Sequence, residues 1–473
     1  MSHGAEIYNA SAARPSRIPT GSRSVLVFAA LLIAASAAGM PPAMSAARID
    51  NAHPHAKAWK LHPLYDFGTN GSNDGSIPMS TLIQDSSGNI YGTTNEGGPV
   101  VANCESGCGT VFKLATDRTE NVLYSFQGGS DGLYPWAGVV SDKQGNLYGT
   151  TRFGGTGNGN TNCANQGCGT IFEVKPDGTE AVLYSFCSQT NCTDGAEPLG
   201  AMIFDEKGNL YGTTVAGAPP NNVSCLNGAQ FPVCGVVFKL SPPAKKGGKW
   251  IETVLHAFEQ SDGDGPQGDL LMYNGFLYGT TTNGGPDGGA GTVFSIAPDG
   301  KKFAVLYSFC TGNNACPDGS SPFAGVIADT AGNLYGTASV GGANVGCGVV
   351  FKLSPPNRKR SVWGESVLHS FQGAPNDGCY PVGDLVADST GTLYGTASNG
   401  GTYNYGSVFS IKPGGSNFKT LYSFTNGTDG TFPLAGLIFD TTGNLYGTTG
   451  QGGNFQVCGH GCGTVFELSP PSK

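Results

Sequence analysis

An all-β chain closed into a seven-bladed β-propeller, each blade a four-stranded antiparallel sheet, is the fold this sequence predicts, on three observations. A YGTT or YGTA phrase occurs seven times, in NIYGTT at 89, NLYGTT at 146 and 209, FLYGTT at 276, NLYGTA at 333, TLYGTA at 392 and NLYGTT at 444, a spacing of 52 to 67 residues. Each occurrence is followed by a second strand-like phrase, from CGTVFKL at 108 to CGTVFEL at 462, and then by an LYSF-type phrase. The two ends of the chain carry complementary halves of one repeat. Self-similarity at this period, with several short strands per unit, marks a ring of blades rather than separate domains.

Short apolar and aromatic runs bounded by glycine read as strands. The LYSF phrase stands as LYDF at 64, LYSF at 123, 183, 306 and 421, LHAF at 255 and LHSF at 368, and a fourth run precedes each YGTT, as in AGVVSD at 137 and AGLIFD at 435. Between that run and YGTT stand DSSGN, DKQGN, DEKGN, DTAGN or DTTGN, where aspartate caps a turn and glycine supplies a positive φ. PDGT at 176 and PDGK at 298 make the hairpin after the VF strand. Within YGTT, Leu147, Gly149 and Thr151 face one way and Tyr148 and Thr150 the other. Neither face is charged, as a blade covered on both sides requires, so the repeated aromatics are expected in the core between blades rather than as a sugar-stacking ladder.

Closure follows from the termini. Trp250 and Trp363 each precede the phenylalanine of an LHAF or LHSF phrase by eight residues, after links that begin SPP. The chain stops at SPPSK, and WKLHPLYDF near its start places Trp59 eight residues before Phe67. Residues 59 to 67 are therefore expected to supply the outer strand of the last blade, which removes the exposed sheet edges that an open array would have to cap.

Arg14, Arg17 and Arg23 precede the apolar run Ser24–Met40, and small residues follow at Ser45, Ala46 and Ala47. This layout predicts a signal peptide over 1–47 with cleavage near Ala47, a short linker over 48–58, one propeller over 59–473 and no later membrane-spanning run. A secreted protein, periplasmic or extracellular, is the expectation. Charged residues make up 12% of the chain and the net charge is −9, the opposite of a phosphate-binding footprint, so nucleic acid is excluded as a partner.

Fourteen cysteines accord with export. Six local couples are expected as disulfides: Cys104 with Cys108, Cys163 with Cys168, Cys187 with Cys192, Cys225 with Cys234, Cys310 with Cys316, and Cys458 with Cys462. Cys347 and Cys379 remain. The loop before the VF strand and the loop entering the next blade emerge on one face of a propeller, which would bring these two together. Zinc is disfavoured because no CxxC pair occurs and the histidines are scattered.

The recurring NLYGTT, GG and CGTVFKL phrases resemble the GloVer (Gloeo_Verruco) tandem-repeat proteins of bacteria, over residues 59 to 468. The resemblance implies an exported or surface-anchored repeat protein and brings no catalytic residues with it. Many members end in a sorting anchor, whereas this chain ends at Lys473 without one, so secretion is expected.

No GxSxG elbow, HExxH or phosphate-cradling loop occurs. His256 and His369 take the tyrosine position of LYSF and read as repeat variants. A DGxxP phrase begins at Asp74, Asp131, Asp194, Asp262, Asp318, Asp377 and Asp429, before each fourth-type strand. A structural role accounts for it, and the functional alternative is a ring of acidic loops able to take calcium, the one cofactor the sequence suggests. Three residues after the proline, Thr81, Gly138, Ala201, Gly325 and Gly436 give way to Asp269 and Asp384 in units four and six. If that strand is innermost, these two carboxylates line a channel site. The expected function is a monomeric, non-enzymatic binding or scaffold protein for a glycan or protein. The alternative is a secreted polysaccharide lyase or glycoside hydrolase working at the channel.

Overall fold

In every unit the YGTT phrase forms the second strand of a sheet and the VF phrase the third, and the reason lies in how they pair. The glycine of YGTT faces the phenylalanine of VF across the ladder, Gly149 against Phe172 and Gly447 against Phe466 among them. A methyl group on any of the seven glycines would lie 2.5 to 2.8 Å from the tip of that ring, so only glycine lets the phenylalanine lie flat over its partner strand. In four units the second threonine of the phrase faces a threonine opposite, with Thr94 and Thr110 hydroxyls 2.8 Å apart and Thr449 and Thr464 2.9 Å apart.

The computed structural model describes residues 58–471 apart from 103, 158–162, 164–165, 218–233, 287–288, 312–314 and 344–345. It contains seven four-stranded antiparallel sheets. Blade 1 runs Ile83–Gln84, Ile90–Thr94, Thr110–Leu114, Glu120–Ser125 from the inner strand outward. Blades 2 to 6 repeat this order, with inner strands Val140–Ser141, Ile203–Phe204, Leu271–Tyr273, Ile327–Ala328 and Val386–Ala387. Blade 7 takes Ile438–Phe439, Leu445–Thr449 and Thr464–Ser469 from the end of the chain and its outer strand, Lys60–Asp66, from the beginning. Leu61 pairs with Leu468 and Asp66 with Thr464, which is the closure expected from the split repeat.

The core is cut into the seven junctions between blades. The phenylalanine that ends each LYSF phrase meets the VF phenylalanine of the next blade edge to face, at 5.0 to 5.3 Å between ring centres, in an unbroken circuit from Phe126–Phe172 to Phe67–Phe112. The repeated aromatics therefore belong to the interblade core. In blades 1, 4 and 6 the first threonine of YGTT adds a polar stitch, Thr93 Oγ1 donating to the Ala137 carbonyl, Thr280 Oγ1 to that of Ala324 and Thr396 Oγ1 to that of Ala435, each at 2.8 Å, whereas the Thr150, Thr213 and Thr337 hydroxyls are buried with no partner among the described residues. The last junction is sewn the same way, by Thr448 Oγ1 to the Ser80 carbonyl.

A second glycine has an equally specific cause. The residue two before the VF dipeptide, from Gly109 to Gly463, has φ between 80° and 111°, and a methyl group there would meet the DGxxP proline of the following blade at 2.5 to 2.8 Å. Proline and glycine recur together because one fills the space the other leaves.

Six of the expected disulfides are present among the described residues: Cys104–Cys108, Cys163–Cys168, Cys187–Cys192, Cys310–Cys316, Cys347–Cys379 and Cys458–Cys462. Cys234 is disulfide-bonded, and Cys225, its expected partner, lies outside the described residues, as do the expected signal peptide and nearly all of the linker. No helix among the described residues is long and apolar enough to cross a membrane.

Candidate functional site

The two faces of the ring are built differently. On one, the turn between inner and second strand has five residues in six blades, from 85–89 to 440–444, and only blade 4 shortens it to Asn274–Gly275. Its aspartate accepts the YGTT tyrosine hydroxyl in all six and the asparagine amide in five of them, as Asp85 does from Tyr91 and Asn89 at 3.0 and 2.8 Å. On the other face, the loop between second and third strands ranges from 398–406 in blade 6 to 215–235 in blade 3. This loop face carries the disulfides, and Cys347–Cys379 ties the loop of blade 5 to the entry of blade 6.

The seven DGxxP aspartates enter the loop face but turn inward. Asp74 accepts the backbone N–H groups of Gly68, Asn70 and Gly75 and the hydroxyl of Tyr65, the last at 2.8 Å. Asp131, Asp194, Asp318 and Asp429 likewise accept Tyr124, Tyr184, Tyr307 and Tyr422, with N–H groups of the preceding loop. In the other two blades histidine replaces tyrosine: His256 Nε2 lies 3.0 Å from Asp262 and His369 Nε2 2.7 Å from Asp377. The aspartate oxygens are thus spent on ordering the loop that enters each blade.

A third member completes each junction from the outer strand of the next blade. Beside the tyrosine–aspartate pairs stand Glu120, Glu180, Glu252 and Glu365, each with at least one buried oxygen that finds no partner among the described residues. Burial, and then the nearby aspartate charge, pushes Glu120, Glu180 and Glu365 up to about 7 and Glu252 up to about 8. Beside the histidines stand phenylalanines instead. Phe303 stacks on His256 and Phe418 on His369, both at 3.6 Å and within 9° of parallel. In the seventh junction the same repeat position is the apolar Leu61, which packs with Tyr422 against one hydrophobic cluster.

At the neck of the channel, side chains from alternate blades cap the backbone of the blade before. Asp269 Oδ1 accepts the Ala201 N–H and Asp384 Oδ1 the Gly325 N–H, both at 2.6 Å, and Thr81 Oγ1 accepts the Gly436 N–H at 3.1 Å. Blades 4, 6 and 1 thus donate the cap, blades 3, 5 and 7 keep small residues to receive it, and Gly138 of blade 2 is the odd one of seven. Asp269 and Asp384 also hydrogen-bond to each other. Burial raises both carboxyls, and the Asp269 charge and hydrogen bond raise Asp384 further, so the pair holds a proton more tightly than free carboxylates do. Both residues are partly exposed, and burial of the carboxyl is nonetheless the leading cause that raises each. Sequence reasoning singled out this pair but missed Thr81, whose signal was that it alone among the other five residues at that position carries a hydroxyl.

Comparison with solved structures finds a gluconolactonase from Xanthomonas campestris, 12% identical, covering 87% of this chain and 89% of that one with a TM-score of 0.39. It also finds PorZ, a surface component of the type-IX secretion system of Porphyromonas gingivalis, 15% identical, covering 84% of this chain and 47% of that one with a TM-score of 0.46. No curated protein matches the sequence. The model of the Gloeobacter/Verrucomicrobia repeat matches residues 53–226, 101–345 and 325–473, which together span the propeller from end to end, and the chain belongs to that repeat family.

Proposed function

We propose that this protein is an exported, non-enzymatic binding or scaffold propeller that recognises a glycan or a protein. The observation that carries the reading is the asymmetry of the two faces: turns of one length in six of seven blades on one side, disulfide-clasped loops of freely varying length on the other. A rigid scaffold presenting variable loops is the usual architecture of recognition. Hydrolysis at the channel is less well supported. Asp269 and Asp384 stand at hydrogen-bond distance, whereas glycosidase carboxylates need about 5 Å or more between them to admit the sugar or a water. Within this reading the pair is the polar contact a channel ligand would meet, and a divalent cation such as calcium is what would displace their shared proton.

Purified protein comprising residues 48–473, applied to a glycan array and incubated with a panel of polysaccharides, tests the proposal. Retention of one ligand class without product release is expected. Turnover of any polysaccharide, lost in an Asp269→Asn, Asp384→Asn variant, would replace binding with catalysis.

A further inference from the structure

Blade 6 departs from its neighbours on the turn face. The YGTT tyrosine of each blade faces a residue of the third strand, and in five blades that residue is long and charged: Lys113, Glu173, Lys239, Lys352 and Glu467. Three of these side chains reach over the tyrosine or its hydroxyl. Lys113 and Lys352 sit 5.7 and 5.5 Å above the rings of Tyr91 and Tyr335, and Glu173 accepts the Tyr148 hydroxyl at 2.9 Å. Blades 4 and 6 have Ser295 and Ser410 instead. In blade 4 the vacated place is taken by Tyr273, whose ring lies 6.5 Å from that of Tyr278. Among the described residues blade 6 has no such filler, and a recess of about 290 Å³ opens over Tyr394.

The walls of this recess have a definite chemistry. Trp59, from the strand that closes the ring, meets Tyr394 edge to face at 6.1 Å and supplies an aromatic side. Thr390, Ser410 and Asn417 supply hydroxyl and amide groups. Thr392 stands where five other blades have asparagine, and its hydroxyl accepts the Lys412 ammonium at 2.8 Å. Lys412 and Lys419 both line the recess, and among the described residues neither has a carboxylate within 4 Å. Asp388, the one acid present, already accepts the Tyr394 hydroxyl and the N–H groups of Thr390 and Thr392. An aromatic wall, several hydroxyl partners and two unneutralised ammonium groups, in a protein of net charge −9, match a sugar ring that bears a negative charge.

We propose that the recess between blades 6 and 7, lined by Trp59, Tyr394, Ser410, Lys412 and Lys419, binds a uronic-acid residue of an acidic polysaccharide. This rests on the glycan half of the function proposed above and gives it a ligand class and a place, on the face opposite the variable loops. The test titrates residues 48–473 with a galacturonic-acid oligosaccharide and a neutral cello-oligosaccharide of equal length, by calorimetry and tryptophan fluorescence. The acidic oligomer should bind and the neutral one should bind at least roughly tenfold more weakly. Ser410→Glu restores the residue that blades 2 and 7 carry and sets a like charge against the ligand, so it should melt like the parent while losing roughly tenfold or more in affinity. Lys412→Gln should erase the preference for the acidic oligomer. Unchanged affinity in both variants would remove the recess from the site and leave glycan binding elsewhere intact. Equal binding of both oligomers would overturn the acidic assignment. A glycan array on which nothing binds would overturn the recess and the glycan reading together.

Discussion

Tyr184 and His256 hold the same place in successive repeat units, and their surroundings have changed with them. Tyr184 shares its junction with Asp194 and Glu252, a tyrosine hydroxyl and two carboxyls. His256 shares its junction with Asp262 and Phe303, an imidazole paired to one carboxylate and stacked on a ring. The second acid vanishes where the imidazole enters. An imidazole donates to a single carboxylate and offers a flat face to a phenyl ring, whereas a phenol pairs with the aspartate and leaves room for a glutamate whose proton burial holds more tightly than usual. The same exchange is made at His369, Asp377 and Phe418, so histidine and phenylalanine enter together, while the Tyr422 junction keeps its tyrosine and aspartate with Leu61 in the third place. Junctions of both kinds keep the same phenylalanine contact and the same strand order. The polar triad is a replaceable insert in an aromatic frame.

The seventh junction, with Leu61 in the third place, breaks that comparison most severely when it is removed. Deleting residues 57–68 takes away the outer strand of blade 7 together with Leu61, Tyr65 and the fully buried Phe67. Phenylalanine loss from a core alone costs about 3–5 kcal/mol, and here the ladder to Thr464–Ser469 goes too. The expected outcome is a melting midpoint lowered by more than about 10 °C or a loss of cooperative melting, read by calorimetry or circular dichroism. An unchanged midpoint would mean that the ring does not depend on its closing strand.

The two kinds of junction should also differ in their response to pH. Glu120, Glu180, Glu252 and Glu365 are raised in the folded state from an ordinary value near 4.5 to about 7 or 8. A raised carboxyl contributes stability that is complete below its unfolded value and is lost as pH climbs through the folded one. The melting midpoint should therefore fall between about pH 5 and pH 8, and replacing all four glutamates by glutamine should flatten much of that slope. Asp264, raised to about 6 by burial, would leave a remnant. A slope that survives the four substitutions intact would show that the glutamates are charged or hydrated where they stand. The histidine junctions have no glutamate in the third place, so changing Phe303 or Phe418 should leave the slope alone.

The blades, the closure and the Cys347–Cys379 bridge were legible in the chain because each is written within one repeat or at a boundary between repeats. The junction triads were not. Their members come from two units, with Tyr184 and Glu252 separated by an entire blade, and reading down columns of repeats does not pair one column with another offset by a unit. The signal was nonetheless present: six residues before the closing phenylalanine the units read Leu61, Glu120, Glu180, Glu252, Phe303, Glu365 and Phe418, and the two phenylalanines follow the two histidine units. The neck was half legible. Asp269 and Asp384 stood out as departures at one position, but seven-fold geometry gives their directions and not the width of the neck that brings them into hydrogen-bond contact. The blade 6 recess was invisible for a different reason, since it arises from what Ser410 fails to cover.

The smallest effect tests the comparison most directly, because it asks whether one kind of junction can be turned into the other. Tyr184→His alone would set an imidazole beside Glu252 with no ring to stack on, and Glu252→Phe alone would set a ring beside the Tyr184 hydroxyl in place of the buried acid. Each single change disturbs a packed set, and a cost of about 1 kcal/mol apiece is the expectation for groups in direct contact. Together they reproduce the His256, Asp262, Phe303 arrangement on the existing Asp194, and the pair should recover most of what the singles lose, a favourable coupling of about 1 kcal/mol. In a protein of this size that amounts to a shift of about 1–2 °C per step, within reach of careful calorimetry on the four proteins side by side. Strict additivity, with the double variant as damaged as the sum of the singles, would mean that His256 and Phe303 share a junction without depending on one another.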